Sequence, residues 1–427
     1  MKQLAILGGE PTIKSPFSTY KSIGENEIEA VIRVMRSGTL SGFYGSSGDK
    51  FWGGPEVKIF EQDWSNRFKV KNTISVNSAT SGLIVAMGAI GIGPGDEVIV
   101  PPYTMSATAM APLIYSGIPV FADIEPETFG LDPEAVRKAI TPRTKAILAV
   151  NLFGHPARLF ELEKIADEHD LYLIEDNSQG PLAEVDNRLA GTIGHIGVFS
   201  LNFHKHIHTG EGGMCVTNDD DLAMRMKMIR NHGENVVDSL GVEKIENLVG
   251  FNFRLTEIQA AIGIEQLKQI DQHVGRREKL AQSLTEGVEG LEGLTSPMVR
   301  SGCRHVYYGW ALRYNEKVVG VKRDLFCKAL VAEGFPCFQG YVKPLYMLPI
   351  FQKKIAMGRE GFPFNLSPDI NYNNGICPVC EHIDEKEFIG FEPCAYHLDQ
   401  EQINLLVDVV QKVYDRRGDL LKLEQND

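Results

Sequence analysis

The chain has 427 residues, of which 43% are hydrophobic and 23% charged, and its formal net charge is -13. This composition is typical of globular proteins and argues against a disordered chain, while the acidic balance without a basic run disfavours a nucleic-acid partner. Because no stretch approaches the roughly 18 apolar residues of a membrane helix and the opening residues do not form a signal peptide, we expect a cytoplasmic protein.

The first predicted element is a helix that begins near Glu25 and ends at Ser37-Gly38, with apolar residues at helical spacing. The segment Leu40 to Gly53 follows, and it is rich in glycine, serine and aromatic residues without any period. It is either a mobile surface loop or a loop that closes over a ligand or a neighbouring subunit. The cost of leaving its aromatic side chains in water favours the second interpretation.

Between residues 56 and 265, short apolar runs alternate with helical stretches such as Pro133 to Ile140 and Leu159 to His169. This alternation predicts a mainly parallel sheet with helices on both faces, whose ligands bind at the carboxyl ends of the strands. The runs predicted as buried strands are Thr73 to Val76, Val98 to Val100, Pro119 to Phe121, Ala146 to Val150 and Leu171 to Ile174.

A single long helix is predicted from Thr256 to about Glu289, and it would link a large domain to a smaller one. The remainder mixes a short strand, Tyr307 to Leu312, with helices at Arg323 to Glu333 and Gln402 to Val413, which indicates an α+β domain. The charged tail from Arg416 to Asp427 is expected to fray. We therefore divide the chain into an N-terminal helix and active-site loop (1–55), a large cofactor-binding domain (56–265) and a linking helix with a small C-terminal domain (266–427).

Two residues suggest a cofactor. Asp176 ends a predicted strand, and Lys205 lies in the stretch Phe199 to Gly213, which is crowded with hydroxyls, imidazoles and glycines. A lysine that forms a Schiff base and an aspartate that pairs with a pyridinium nitrogen are the minimal protein contribution to pyridoxal phosphate (PLP) chemistry. Each residue also has an ordinary explanation, since Asp176 could cap a following helix and Lys205 could be a solvated loop lysine.

Zinc is the alternative for the same stretch, because His204, His206 and His208 surround Lys205. These histidines alternate along the chain instead of forming a helical i, i+4 pair, and no carboxylate completes the set, so a metal site is disfavoured. A partly desolvated lysine would have a lowered pKa, which suits both imine formation and proton transfer.

A phosphate group needs backbone amides at a helix start, and Asn77 to Leu83 offers small hydroxyl residues between a predicted strand and an apolar helix. The same string is also a good helix N-cap without any ligand. Ser200 could add a hydroxyl.

Taken together in order, these blocks resemble the DegT/DnrJ/StrS sugar aminotransferase family of fold type I PLP-dependent enzymes, within the aspartate aminotransferase superfamily. The resemblance runs over nearly the full chain, and so many ordered blocks are more specific than any one of them. The blocks that carry it are Gly54 to Glu61, Asn77 to Leu83, Gly95 to Pro101, Ile174 to Gln179, Phe199 to Gly213, Arg230 to Gly233, Gly250 to Glu257 and Lys343 to Tyr346.

The resemblance implies an α/β fold: a large domain with a mainly parallel seven-stranded sheet and a smaller α+β C-terminal domain. It also implies that Lys205 binds PLP covalently, that Asp176 pairs with the ring nitrogen and that Gln179 reaches the ring hydroxyl.

For the phosphate, the resemblance implies the backbone of Thr80 and Ser81 and the hydroxyl of Ser200. It further implies that Asn252 reaches in from the second subunit of a homodimer, so that the two subunits share their active sites.

Two departures from the family pattern concern the substrate side. Met105 stands where many relatives place an aromatic residue on the PLP ring, so a sulfur contact or Tyr103 would replace that stacking. The loop from Leu40 to Gly53 looks longer than usual. The residues expected to face the substrate are Tyr44, Trp52, His206 and Tyr346.

One branch of the family replaces the lysine with histidine and dehydrates sugars. Counting from both flanks places Lys205 at the decisive position and His206 next to it, which favours an aminotransferase. The expected reaction moves an amino group from glutamate or glutamine to a keto sugar, nucleotide-linked and used for cell-surface polysaccharide or secondary metabolites. The alternative acceptor is a keto-inositol of the scyllo-inosose type, because Leu7 to Pro11 resembles the start of such relatives.

Two further hypotheses carry less weight. Cys377, Cys380, Cys394 and His397 have a spacing that could bind structural zinc, but packing of small thiols in a core explains the first pair better. With seven cysteines in an intracellular-looking chain, we expect free thiols rather than disulfides. A non-catalytic PLP-binding regulator is disfavoured because no DNA-binding segment or basic patch is present.

Overall fold

A seven-stranded sheet lies at the centre of the structure, a computed structural model that describes residues 3–424. Its order is β1-β9-β8-β5-β4-β2-β3, and only β9 runs antiparallel to its neighbours. This confirms the predicted mainly parallel seven-stranded sheet. Its strands are β1 (Asn72–Val76), β2 (Glu97–Val100), β3 (Ile118–Phe121), β4 (Thr144–Val150), β5 (Tyr172–Asp176), β8 (Ile196–Ser200) and β9 (Gly213–Thr217).

Seven shorter or peripheral strands complete the β structure. A four-stranded antiparallel sheet has the order β10-β12-β14-β13, and a three-stranded one the order β11-β6-β7. These strands are β6 (Glu184–Val185), β7 (Arg188–Leu189), β10 (Leu294–Thr295), β11 (Cys303–Arg304), β12 (Trp310–Tyr314), β13 (Phe338–Gln339) and β14 (Phe388–Phe391).

The α-helices confirm several predicted elements, with Leu159–His169 found at the predicted bounds. They are α1 (Glu25–Ser37), α2 (Pro55–Phe68), α3 (Ala79–Ala89), α4 (Ala107–Ile114), α5 (Pro133–Ala139), α6 (Leu159–His169), α7 (Asp220–Arg230), α8 (Val237–Leu240), α9 (Glu257–Lys268), α10 (Ile270–Val288), α11 (Glu316–Val319), α12 (Arg323–Ala332), α13 (Pro349–Gln352), α14 (Pro378–His382), α15 (Gln400–Asp415) and α16 (Arg417–Glu424). Among residues 3–424, no helix combines the length and the apolar character needed to cross a membrane.

Both faces of the large sheet are covered by helices, as its continuous apolar strands require. Alternate residues of β4 show this, since Leu148 packs into the core with α3, α4 and α7 while Ile147 and Ala149 pack into the core with α2, α6 and α9. The buried sheet thereby holds the carboxyl ends of its strands at fixed positions.

The predicted single helix from Thr256 to Glu289 is wrong, because the helix breaks at Gln269 (φ -105°, ψ 0°) into α9 and α10. The two halves have different main partners: α9 packs on α1 and α2, whereas α10 packs on α15. The break lets α10 leave the core that it shares with α9 at Ile270 and Val274 and continue into the core of the small antiparallel sheet.

The predicted strand Tyr307 to Leu312 is shifted, since β12 begins at Trp310. Tyr307 has a left-handed backbone (φ 49°), which ends extended pairing there and leaves Tyr308 in a connecting turn.

The expected fraying of the tail is wrong as far as Glu424, because α16 is a helix and its Leu420 is fully buried beside α15. Residues 425–427 lie outside the described part of the chain. The domain boundaries at residues 55 and 265 stay predictions.

Candidate active site

A cavity of about 210 Å³ lies at the carboxyl ends of β5 and β8, beside the start of α3. It brings together six of the residues expected to bind a cofactor, although they come from distant parts of the chain. They are Thr80, Met105, Asp176, Gln179, Ser200 and Lys205.

Asp176 is buried at the end of β5, and its carboxylate is oriented by two hydrogen bonds. Oδ2 accepts from the Thr108 hydroxyl at 2.9 Å, and Oδ1 accepts from the amide of Ser178 at 3.2 Å. A turn rather than a helix follows Asp176, so the alternative of a simple helix cap is wrong. Glu175 points to the opposite face, where its carboxylate accepts from the amides of the 191–194 turn and burial raises its pKa.

Lys205 lies in the loop after β8, with its Nζ 4.2 Å from the centre of the Tyr308 ring. Burial lowers the pKa of Lys205 to about 8, although the Asp176 carboxylate opposes this shift. The pKa of the neighbouring His204 falls to about 4, first because of desolvation and then because of the Lys205 charge. The lysine is therefore a far better nucleophile near neutral pH than a solvated one.

The start of α3 forms one wall of the cavity. Ser78 is the N-cap, and its hydroxyl accepts from the Ser81 amide at 3.1 Å. The Ser81 hydroxyl donates to Asn77 Oδ1, so Ser81 is committed to the turn and does not line the cavity. Ala79 and Thr80, whose amides have no acceptor within the helix, line the cavity instead.

Gly213 permits this arrangement, because β9 runs directly against the start of α3. A Cβ at this position would lie 2.7 Å from the carbonyl carbon of Ser78. Any side chain there would push the helix start away from Ser200, which lines the cavity from β8.

Gln179 is held by both ends of its amide. Its Oε1 accepts from the Phe153 amide at 2.7 Å, and its Nε2 donates to the Tyr341 hydroxyl at 2.9 Å. Burial raises the pKa of Tyr341 to about 12, so its hydroxyl keeps its proton at neutral pH. A side chain fixed in this way can present a defined edge to a ring bound in the cavity.

Met105 is 58% exposed at the rim of the cavity, whereas Tyr103 is fully buried behind it. The Tyr103 hydroxyl donates to Asp384 at 3.1 Å and accepts from the Tyr341 amide at 2.8 Å. Tyr103 therefore supports the wall without facing the cavity, and only Met105 of the two is placed to contact a bound ring.

The residues expected to face the substrate do not line this cavity. Tyr346 is buried against Phe121 and donates its hydroxyl to Glu381. His206 is also fully buried, and its Nε2 is bonded to the Val306 carbonyl at 2.8 Å. Both side chains are therefore parts of the core in this chain.

The loop from Leu40 to Gly53 is held in place by hydrogen bonds from Asn231, the residue after α7. Asn231 donates through Nδ2 to the carbonyls of Tyr44 at 2.9 Å and Phe51 at 2.8 Å. Tyr44 is 56% exposed and Trp52 half-buried, and neither reaches the cavity of its own chain. Asn252 is likewise exposed and outside the cavity, so its contribution across a subunit interface stays a prediction.

Sequence reasoning missed four residues that contact the cavity or its key side chains: Thr108, Asn202, Tyr308 and Tyr341. Thr108 and Tyr341 act from elements far from β5 in sequence, so no local pattern identifies them. Tyr308 was assigned to a strand that begins later. The one available signal was Asn202, three residues before Lys205 in the same loop.

The metal alternatives receive no support from the geometry. Across the part of the chain that the structure describes, no three histidine, cysteine or acidic side chains form a group that could hold a metal ion. Cys377 and Cys380 are fully buried in the core, and Cys394 accepts from Arg277 Nε at 3.0 Å. All seven cysteines are free thiols.

Comparisons with known proteins agree with this geometry. A model of the DegT/DnrJ/EryC1/StrS aminotransferase family matches residues 21–385. The spore coat polysaccharide biosynthesis protein SpsC of Bacillus subtilis is 33% identical over 347 residues, covering 80% of this chain and 86% of that protein.

An L-glutamine:2-deoxy-scyllo-inosose aminotransferase of Streptoalloteichus tenebrarius is also 33% identical, over 98% of this chain and 99% of its own length. Among solved structures, DesI in the presence of its TDP-sugar product has a TM-score of 0.82 at 28% identity, and 99% of each chain is covered.

Proposed function

The chain belongs to the DegT/DnrJ/EryC1/StrS aminotransferase family, and we propose that it uses PLP to move an amino group from glutamate or glutamine to a nucleotide-linked keto sugar. The observation that carries the proposal is the meeting of Lys205, Asp176 and the start of α3 in one cavity. An amine, a carboxylate and free helix amides are the three groups that PLP requires of a protein.

The residues present fit this cofactor. Lys205 would hold it covalently, Asp176 would pair with its ring nitrogen, and the amides of Ala79 and Thr80 with the Ser200 hydroxyl would hold its phosphate. A further observation is Asn202 Oδ1, which is buried without a hydrogen-bond partner although Asn202 lines the cavity. An unsatisfied acceptor of this kind indicates a place for a ligand donor.

When bound, PLP would weaken the bond between Cα and its hydrogen in the amino donor by withdrawing electrons into its ring. Asp176, fixed by Thr108 and Ser178, supplies the negative charge that keeps a ring nitrogen protonated. Once the donor amine has displaced it from the cofactor, Lys205 Nζ would take a proton from the donor Cα and return one later, and its lowered pKa suits both transfers. Tyr308 beneath Nζ stabilises the ammonium form between the two transfers.

The relatives support two candidate acceptors. DesI was solved with a TDP-sugar product, and SpsC is named for polysaccharide biosynthesis, which supports a nucleotide-linked keto sugar. A keto-inositol is the second candidate, because the scyllo-inosose enzyme matches 98% of this chain. In either case we propose a homodimer in which Asn252 serves the partner's cavity, consistent with its exposure outside its own.

The first prediction concerns Lys205. Lys205→Ala should abolish turnover and the visible absorbance of a covalently held cofactor, because no other amine lines the cavity among the described residues. Lys328→Ala on the exposed face of α12 is the control and should keep both. Full turnover by the Lys205 variant would contradict the proposal.

The acceptor can be identified separately. Holoenzyme is first converted to its aminated form with glutamate or glutamine, and candidate acceptors are then added while loss of that form is followed spectroscopically. Reaction with a nucleotide-linked keto sugar but not with the free sugar supports the main proposal. Reaction with scyllo-inosose alone would replace it with the keto-inositol activity.

A further inference from the structure

A second pocket of about 180 Å³ lies between α10 and the start of α15, and Pro393 and Tyr396 form part of its wall. Three cationic side chains line it, and no acidic residue does. The cations are Arg276, Arg277 and Lys279. Nothing in the proposed reaction uses this pocket.

Arg277 is the residue that makes the pocket unusual, because its guanidinium is 3% exposed and has no carboxylate partner among residues 3–424. Its Nε donates to Cys394 Sγ at 3.0 Å and its Nη1 to the His273 carbonyl at 2.6 Å, and the group lies 4.8 Å from the centre of the Tyr20 ring. A buried charge satisfied only by neutral groups is costly. An anion in the pocket would remove that cost.

The fully buried Arg230 shows the usual solution, since it forms an ion pair with Glu61 at 2.6 Å. The acidic residues next to the pocket are engaged elsewhere. Glu278 pairs with Arg304 at 2.7 Å, and Asp399 accepts from the Gln402 amide at 2.8 Å as the cap of α15. Among residues 3–424, therefore, no carboxylate neutralises the positive charge inside the pocket.

The other two cations are also available. Arg276 and Lys279 are exposed at the mouth, and neither forms an ion pair with a described residue. The remaining walls are mainly apolar or aromatic: Tyr20, Leu280, Pro393, Tyr396, Leu398 and Ile403. A ligand that fits these walls has an anionic head and an apolar or planar body.

We infer that this pocket binds a small phosphate monoester. Its phosphate would contact Arg276, Arg277 and Lys279, and its organic part would pack against Tyr20. Three positive charges match a dianionic phosphate better than a singly charged carboxylate. The bound phosphate would contact Arg277, which in turn contacts Cys394 close to Lys205. The pocket and the catalytic cavity share no lining residue, so they are separate sites.

The test uses holoenzyme, whose cofactor fills the catalytic phosphate site, and isothermal titration with phenyl phosphate. Arg276→Gln combined with Lys279→Gln changes only exposed side chains and should weaken binding about 10-fold or more. The matched control combines Arg36→Gln on α1 with Lys328→Gln on α12, both exposed, and should bind as the unaltered protein does.

Each outcome either supports or overturns the proposed phosphate site. Loss of binding in the pocket variant but not in the control, with saturating keto-sugar acceptor leaving binding unchanged, supports the site. Equal binding by the two variants, or no binding to the unaltered protein, overturns it. Benzoate binding as tightly as phenyl phosphate would overturn the assignment to a phosphate.

Discussion

Lys205 occupies an environment that works against its own charge. It is partly buried, which disfavours its ammonium form, whereas the face of Tyr308 and the nearby Asp176 carboxylate both favour that form. Burial has the largest effect, so the pKa falls to about 8. Near neutral pH such a lysine can exchange a proton in both directions, which a solvated lysine cannot do efficiently.

This gives a pH prediction. The neutral amine attacks PLP, so the rate at which apoenzyme binds PLP covalently should rise about tenfold per pH unit at low pH and level off above about 8. Tyr308→Leu removes the ring that favours the ammonium, so its profile should shift to lower pH. Stopped-flow absorbance measures both, and a midpoint near the ordinary lysine pKa in the unaltered protein would contradict the prediction.

At the residue scale, sequence predicted the side chains whose position follows from the backbone. Asp176 lies at a strand end and Lys205 in the loop after a strand, so topology alone brings them to one edge of the sheet. The direction of a side chain off a loop does not follow in this way. Tyr346 and His206 were expected at the substrate and instead lie in the core, where burial and a hydrogen bond hold them.

Helix α3 shows how one element serves both stability and binding. Its N-cap Ser78 fixes the turn whose next two residues line the cavity, and Gly213 lets β9 pass close beside it. The sequence predicted this helix start but not which of its amides remain free for a ligand. The Ser81 amide already donates to the Ser78 hydroxyl, so it is not free, whereas the Ala79 amide is.

Ser78→Ala should therefore lower the free energy of unfolding by about 1 kcal/mol and also weaken PLP binding, because the first turn loses its anchor. Asp219→Ala is the matched control. Asp219 caps α7 by accepting from the Leu222 amide at 2.9 Å, and it lies far from the start of α3. It should cost similar stability in urea unfolding while leaving the PLP dissociation constant unchanged. Equal losses of PLP affinity in both variants would show that the effect is not local.

The break at Gln269 is a feature that the helical period of the sequence does not predict. The apolar residues on both sides of it follow a helical period, so sequence alone predicts one helix. Tertiary contacts decide otherwise, because Gln266 and Gln269 both donate to Glu27 of α1, at 2.8 and 3.0 Å. Such a contact between distant segments leaves no local signal.

At the scale of the whole molecule, the two ends of the described chain meet around Glu333, which follows α12. This carboxylate is fully buried and accepts from the Ala5 amide at 2.8 Å, from the Thr12 amide at 2.9 Å and from Lys412 of α15 at 2.7 Å. One side chain thus ties the N-terminal segment and the last long helix to the small antiparallel sheet region. No motif predicted it, since its contacts with Ala5 and Thr12 span 328 and 321 residues and that with Lys412 spans 79.

Burial raises the pKa of Glu333, but the bonds from Lys412, Ala5 and Thr12 outweigh it, so the pKa lies below its ordinary value of 4.5. A carboxylate with a lowered pKa in the folded state adds stability above 4.5, and that stability is lost as the pH falls through the folded value. Glu333→Gln should cost about 2 kcal/mol near neutral pH, and less as the pH falls below the folded pKa.

Urea unfolding of the two proteins between about pH 3 and pH 7 checks this prediction, because the difference between their unfolding free energies should shrink as the acid protonates Glu333. Glu289→Gln, at an exposed position after α10, is the control and should follow the unaltered protein throughout. A difference that stays constant with pH would mean that the shape of Glu333, and not its charge, joins the two ends. In that case the contact with Lys412 would contribute nothing beyond packing.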